Sequence, residues 1–334
     1  MDFIDQLRER VKMSAVSREL FYKLLKTKSL NGNSFYNYFY RRRIKRIISA
    51  HEEFPETVAV ESSAYCNSRC IMCPSSTMSR TKGIMSWSRF ADIADECAEH
   101  GVQKLYLSGF GESLLDKGLE QKVSYAHSKG VKTSIVTNAS LLDRSRALGL
   151  IEAGLDEVNI SLDGASTEVY NRIRTGLDFD SVVENVRTLA FARRGGRPRI
   201  QIEMVLLGSN SSQIPALRRE WARVADSILV RQPQDWLKSV SLDPVVYTPH
   251  RGREGAWPPC IYPFTQLSVY WDGTVPVCCL DYDAEGSVGV QGSESLYAIW
   301  HGKKMKFYRE RHLAARKVGL SPPCDRCSYF SVWW

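Results

Sequence analysis

"TVAVESSAYCNSRCIMCPSS", residues 57–76, runs from a strand pattern straight into three cysteines. Cys66, Cys70 and Cys73 follow the spacing C-x3-C-x2-C. A structural zinc site takes four ligands, and its cysteines usually come as two C-x2-C pairs. A disulfide framework uses an even number. Three close thiols leave a metal centre with one unprotected position, and an open position is where chemistry can occur.

Outward from this stretch the chain alternates. Strand patterns follow at 104–109, 131–138, 157–164, 199–207 and 227–232, giving six with the opening strand. Between them lie helix patterns, among them "SWSRFADIADECAEHG", "GLEQKVSYAHSKG", "LLDRSRALGLIEAG", "DFDSVVENVRTLAFARR" and "QIPALRREWARVA". Such alternation predicts a parallel sheet with right-handed crossovers. No dinucleotide-binding fingerprint follows the first strand, so the fold class expected is α/β, a partial (β/α)6 TIM-like barrel. The cysteine loop then lies at the C-terminal end of strand one, the catalytic face of a β/α barrel.

Three regions are expected: a helical basic extension over 1–54, the barrel over 55–235 and a smaller domain over 236–334. The last region opens on a proline-containing loop. It continues as a hairpin at 266–279 around an Asp-Gly turn. One helix, "SLYAIWHGKKMKFYRERHLAAR", follows, and then "PPCDRC".

Of 334 residues, 43% are hydrophobic and 25% charged, ordinary for a globular protein. No run of about 18 apolar residues predicts a membrane span. "MDFIDQLRERVKM" lacks the apolar core of a signal peptide. A cytoplasmic location is expected, where thiols stay reduced. The nine cysteines then read as metal ligands before disulfides. The formal net charge of +8 is densest in "YRRRIKR" at 40–46, after the aromatic run "FYNYFY" at 35–40. A solvated basic helix face is the first reading there, and a contact for an anionic partner the second. Nothing resembles a nucleic-acid module, so nucleic acid is not expected as a partner.

Three thiolates can hold three irons of a four-iron cluster and leave the fourth iron free. The C-x3-C-x2-C loop in this context resembles the radical S-adenosylmethionine (SAM) superfamily. The resemblance covers roughly residues 57–328. It implies that Cys66, Cys70 and Cys73 hold a 4Fe-4S cluster whose free iron binds SAM, and that cleavage of SAM yields a 5′-deoxyadenosyl radical. "LSGFGES" at 107–113 matches the family's glycine-rich segment facing the amino group of SAM, which assigns Gly109, Gly111 and Glu112 to cofactor binding. Asn138, Ser161 and Asp163 end strands three and four and suit the ribose and carboxylate of SAM. "YNRIRTG" at 170–176 resembles the segment whose arginine meets the SAM carboxylate; Arg174 is the choice and Arg172 the alternative.

Cys260, Cys278, Cys324 and Cys327 resemble the short form of the SPASM extension, the twitch domain, which carries one auxiliary 4Fe-4S cluster. The family hairpin puts its ligand five residues after the turn glycine, here Gly273, which selects Cys278 over Cys279. A four-cysteine zinc site is the competing reading. Cys279 is either hairpin packing or a hydrogen-atom donor beside the substrate. Cys97 reads as a buried core thiol. His250, His301 and His312 lack metal-ligand spacing and read as structural or solvent-facing.

The resemblance implies an enzyme that abstracts a hydrogen atom from a carbohydrate-like or aminocyclitol-like small molecule, oxidising an alcohol or epimerising a stereocentre, with oxidation first. A peptide-modifying enzyme is the alternative, and a non-enzymatic zinc-bearing binding protein the distant one. Expected partners are a polar small-molecule substrate and a low-potential electron donor such as flavodoxin or ferredoxin. Glu203, Arg231 and Gln232 are candidates for substrate contact.

Overall fold

The computed structural model describes residue 42 and residues 44–193, 196–237, 239–240, 260–314 and 319–327. The helices expected before residue 42, the aromatic run 35–40, His250 and the loop at 241–259 lie outside the described residues. In the basic stretch, residues 44–50 are helical, with Ile44 buried and Arg42, Lys45 and Arg46 exposed.

In chain order the strands are β1 Thr57–Val60, β2 Arg69–Cys70, β3 Lys104–Leu107, β4 Lys132–Thr137, β5 Glu157–Ser161, β6 Arg174–Thr175, β7 Arg199–Val205, β8 Ser227–Arg231, β9 Gln266–Val269, β10 Thr274–Pro276 and β11 Ser287–Val290. Seven of them form one sheet in the order β8-β7-β5-β4-β3-β1-β9. All neighbours in it are parallel. The six strands read from sequence follow one another across this sheet, as an α/β barrel requires. Val158 and Ile160 of β5, and Ile200, Ile202 and Met204 of β7, are fully buried. They share one core with Val182, Val186 and Leu189 of the helix Phe179–Ala192.

Capping fixes where the helices begin. The side chains of Ser86, Asp143, Ser166, Asp178 and Ser295 each accept a hydrogen bond from the backbone N–H three residues on. Each such cap contributes about 1 kcal/mol. Among the described residues, no helix is long and apolar enough to cross a membrane.

Three features depart from the sequence reading. The sheet has a seventh strand: β9, the first arm of the expected hairpin, pairs with β1 from Thr57↔Gln266 to Val60↔Val269. This covers the edge that β1 would otherwise leave open. The Asp-Gly turn forms, with Gly273 at φ 92°, but β10 then pairs antiparallel with β11. Finally, the single helix expected after the hairpin is two, Leu296–Trp300 and Lys303–Leu313. Gly302 sits between them with φ −67° and ψ 157°, an extended conformation that interrupts the helix. A further helix, Thr167–Ile173, links β5 to β6.

Candidate active site

The cysteine loop leaves the C-terminal end of β1 and is held by the short antiparallel pair β2 and β6, which sets Cys70 opposite Arg174. The Cys73 N–H donates to the Cys70 carbonyl at 3.1 Å and the Ile71 N–H to that of Ile173 at 3.0 Å. Burial pushes the Cys73 thiol up to about 11, and the neighbouring sulfurs of Cys70 and Cys66 add to the rise. Burial likewise raises Cys66. Such thiols ionise when a metal supplies the opposing charge.

Arg174 stands beside this loop. Its Nε donates to Asp163 Oδ2 at 2.6 Å and its Nη1 to the Cys70 sulfur at 3.7 Å. Asp163 is fully buried, and its other oxygen accepts from the Val205 N–H at 2.6 Å. Arg172 points the other way, exposed and paired with Glu168 at 2.8 Å.

Glu112 is buried with both oxygens engaged. Oε1 accepts from Thr137 Oγ1 at 2.6 Å and from the Leu114 N–H at 3.1 Å, and Oε2 from the Asn138 N–H at 2.8 Å. Burial raises its pKa. Asn138 Nδ2 in turn donates to Asn67 Oδ1 at 2.9 Å, tying the end of β4 to the cysteine loop. The two glycines of "LSGFGES" have packing reasons of their own. A Cβ on Gly109 would lie 2.5 Å from Glu61 Cγ, and one on Gly111 2.1 Å from the Ser63 carbonyl oxygen. Ser161 is half-buried at the end of β5, level with Glu203.

Glu61 and Arg80 organise this rim without having been read from sequence. Arg80 donates through Nη1 to Glu61 Oε2 at 2.7 Å and through Nη2 to Oε1 at 2.5 Å. Glu61 also accepts from the Phe110 N–H at 3.1 Å. Arg80 Nε donates to the Tyr282 carbonyl at 2.7 Å, and Asp283 accepts from the Ser79 N–H at 2.7 Å. The barrel rim is thereby fastened to the segment that follows Cys278. Phe110 stands edge-on to Trp236, Tyr270 and Tyr282. The only advance signal was a glutamate placed directly after strand one.

Cys260, Cys278, Cys324 and Cys327 line one pocket together with Leu237, Tyr262, Pro263, Leu280, His312 and Pro323. Of the two expectations for His312, structural or solvent-facing, the structure shows the first: it is buried and forms part of this wall. Cys279 turns elsewhere, and its sulfur accepts from Gln266 Nε2 at 3.1 Å. Cys97 is fully buried in the main core.

Sulfur-only donor sets suit iron–sulfur clusters or zinc and exclude calcium or magnesium. Among the described residues, no three His, Cys, Asp or Glu side chains converge on a point for one ion. A cluster places each thiolate on a different iron. By donor chemistry, both cysteine sets fit four-iron clusters: the loop with an iron to spare, the pocket with a thiol for every iron.

The comparisons agree with this arrangement. The model of the radical SAM superfamily matches residues 60–219, and that of the SPASM iron–sulfur cluster-binding domain matches residues 260–328. A probable GTP 3′,8-cyclase of Methanococcus maripaludis is 31% identical over 166 residues, 49% of this chain and 54% of the relative. The mycofactocin maturase MftC of Mycobacterium tuberculosis is 32% identical over 177 residues, 51% of this chain and 44% of the relative. The chain thus spans about half the length of these curated relatives. Among solved structures, BtrN in complex with AdoMet and 2-DOIA has a TM-score of 0.54 at 16% identity, covering 79% of this chain and 89% of that one. Streptococcus suis SuiB bound to precursor peptide SuiA has a TM-score of 0.64 at 14% identity, covering 79% and 69%. At such identities the two structures show a shared fold. With a cysteine loop on the rim of a parallel barrel, a four-cysteine pocket and both domain models matched in order, the chain carries a radical SAM superfamily domain over residues 60–219 followed by a SPASM iron–sulfur cluster-binding domain over residues 260–328.

Proposed function

We propose that the protein is a radical SAM oxidoreductase that oxidises a secondary alcohol of a carbohydrate-like small molecule to a ketone. When bound, the cofactors supply a hydrogen-abstracting 5′-deoxyadenosyl radical from SAM and, at the auxiliary cluster, a one-electron acceptor. The balance is complete: the CH–OH carbon gives up a hydrogen atom, the hydroxyl a proton and the remaining radical an electron, leaving C=O. The observation that carries this reading is the pocket ringed by Cys260, Cys278, Cys324 and Cys327. Four protein thiols leave no iron for substrate, which suits electron transfer.

The chain's own residues have separate tasks. Cys66, Cys70 and Cys73 hold the SAM cluster, and Arg174 meets the cofactor carboxylate beside Cys70. Gly109 and Gly111 keep the Glu112 loop close to the end of β1. Arg80 holds the rim against the auxiliary domain through Glu61 and Tyr282. A low-potential donor such as flavodoxin or ferredoxin in a reducing cytoplasm supplies the first electron.

Epimerisation would require a hydrogen-atom donor on the opposite face, and Cys279 is the spare thiol. Its hydrogen bond to Gln266 supports a packing role. Product analysis of Cys279→Ala in deuterated water tests the reading. Turnover to a ketone without solvent deuterium at carbon is expected. Deuterium in the parent enzyme's product, with no product from the variant, would establish an epimerase instead. A second reading, peptide modification, is favoured by the match to the maturase MftC; a peptide product in the same assay would establish it.

A further inference from the structure

The helix "KKMKFYRERHL", Lys303–Leu313, buries Met305, Tyr308 and His312. His312 lines the four-cysteine pocket. Arg309 stands three residues before it, within one turn of the same helix, and is half-buried. Its guanidinium is clamped. Nε donates to the Pro263 carbonyl and Nη1 to the Trp300 carbonyl, both at 2.8 Å, and the group lies 3.9 Å from the centre of the Trp300 ring. Pro263 is itself part of the pocket wall. The cation is therefore fixed directly behind that wall.

Charge is what this arrangement leaves over. Arg80 and Arg174 are each matched by a carboxylate, Glu61 and Asp163 respectively. Arg309 gives its bonds to neutral carbonyls, and its Nη2 is buried with no hydrogen-bond partner among the described residues. Burial pushes its pKa down to about 10, with no acidic neighbour to offset the shift. A buried charge without an opposite one is costly. Across the wall, four thiolates around an iron–sulfur cluster form an anion, which becomes more negative on accepting an electron. Asp281 and Asp325 add negative charge beside Cys324, and Arg326 is already paired with Glu285. Net charge and polar contacts set the potentials of such clusters. We propose that Arg309 is the counter-charge of the auxiliary cluster and raises its reduction potential, fitting it to accept an electron. The inference rests on the electron-acceptor reading above and names the residue that sets that acceptor's potential.

The test is a redox titration followed by EPR on the anaerobically reconstituted chain, with and without SAM. The SAM cluster is recognised by its response to SAM, and the other centre is the auxiliary cluster. Arg309→Gln keeps a hydrogen-bond donor and removes the charge, whereas Arg309→Lys keeps the charge and loses the planar fork. In Arg309→Gln the auxiliary centre's oxidised-to-reduced ratio at a fixed potential should rise about tenfold, the scale of one unit charge inside a protein. That is a fall of about 59 mV in its midpoint. Arg309→Lys should keep the parent's midpoint, and the SAM-responsive centre should move in neither variant. Lys306→Gln removes an exposed charge from the same helix and should shift neither centre, because solvent screens it. Equal shifts in the Gln and Lys variants, or no shift in Arg309→Gln, overturn the proposal. Loss of the auxiliary cluster from Arg309→Lys, or zinc in place of its iron in the parent, also overturns it; loss from Arg309→Gln alone supports it. Product analysis separates the two readings. A shifted potential without a ketone product sinks the oxidation and leaves the role of Arg309 standing, and a ketone with an unshifted potential does the reverse.

Discussion

Arg174 answers to two partners at once. Asp163 holds it in an ion pair at 2.6 Å, and its other arm lies 3.7 Å from the Cys70 sulfur. Lysine offers a point charge in place of this planar fork, so Arg174→Lys should weaken SAM binding by roughly tenfold or more. Arg172→Ala should leave it unchanged, because an exposed i,i+4 pair such as Arg172–Glu168 contributes only about 0.3–0.5 kcal/mol to stability and lies away from the loop. Equilibrium binding of SAM to the reconstituted proteins checks both. Breaking a buried ion pair from one side costs more, about 3–5 kcal/mol, and loss of the half-buried Arg80 would leave the buried Glu61 carboxylate without its partner. Arg80→Ala should therefore lower the urea midpoint markedly. The cysteines proposed to bind metal stand out in the sequence because that chemistry needs a fixed local spacing. The Glu61–Arg80–Tyr282 contact was not, since its third member is about 200 residues distant in sequence.

At the scale of elements, packing decides where the glycine-rich loop can go. A Cβ at Gly111 would stand 2.1 Å from a backbone oxygen and 2.8 Å from the Ala64 carbonyl carbon. Backbone cannot swing aside as a side chain can. Gly111→Ala should cost about 1–3 kcal/mol of overpacking and displace Glu112 from the Asn138 and Leu114 N–H groups. Chemical denaturation reads the first effect, and loss of SAM binding with the cluster retained reads the second. All six barrel strands were visible in the sequence because each short apolar or alternating stretch is bounded by loop residues and separated from the next by a helix pattern. The pairing of β9 with β1 was not visible, since an Asp-Gly turn fixes its own two flanks and says nothing about which other edge they meet. The helix break at Gly302 was missed for a related reason. A lone glycine in a helical pattern is often tolerated, and here the extended backbone at that residue separates Trp300 from Lys303.

For the whole molecule, two cluster sites of different kinds are proposed: one on a barrel loop with three thiols and one in a pocket with four. The Arg80 contacts to Glu61 and Tyr282 hold the two domains in register across them. The pocket could be expected from the order of Cys260, Cys278, Cys324 and Cys327, but the part played by His312 in its wall could not, because burial depends on how the last helix packs. The most direct test is iron and sulfide analysis with Mössbauer spectroscopy on anaerobically reconstituted parent and Cys324→Ala/Cys327→Ala protein, with and without SAM. Two four-iron clusters predict about eight irons per chain in the parent and about four in the variant, with SAM perturbing one cluster in each. Unchanged iron in the variant accompanied by loss of zinc, or a parent with no iron site that responds to SAM, would contradict the account.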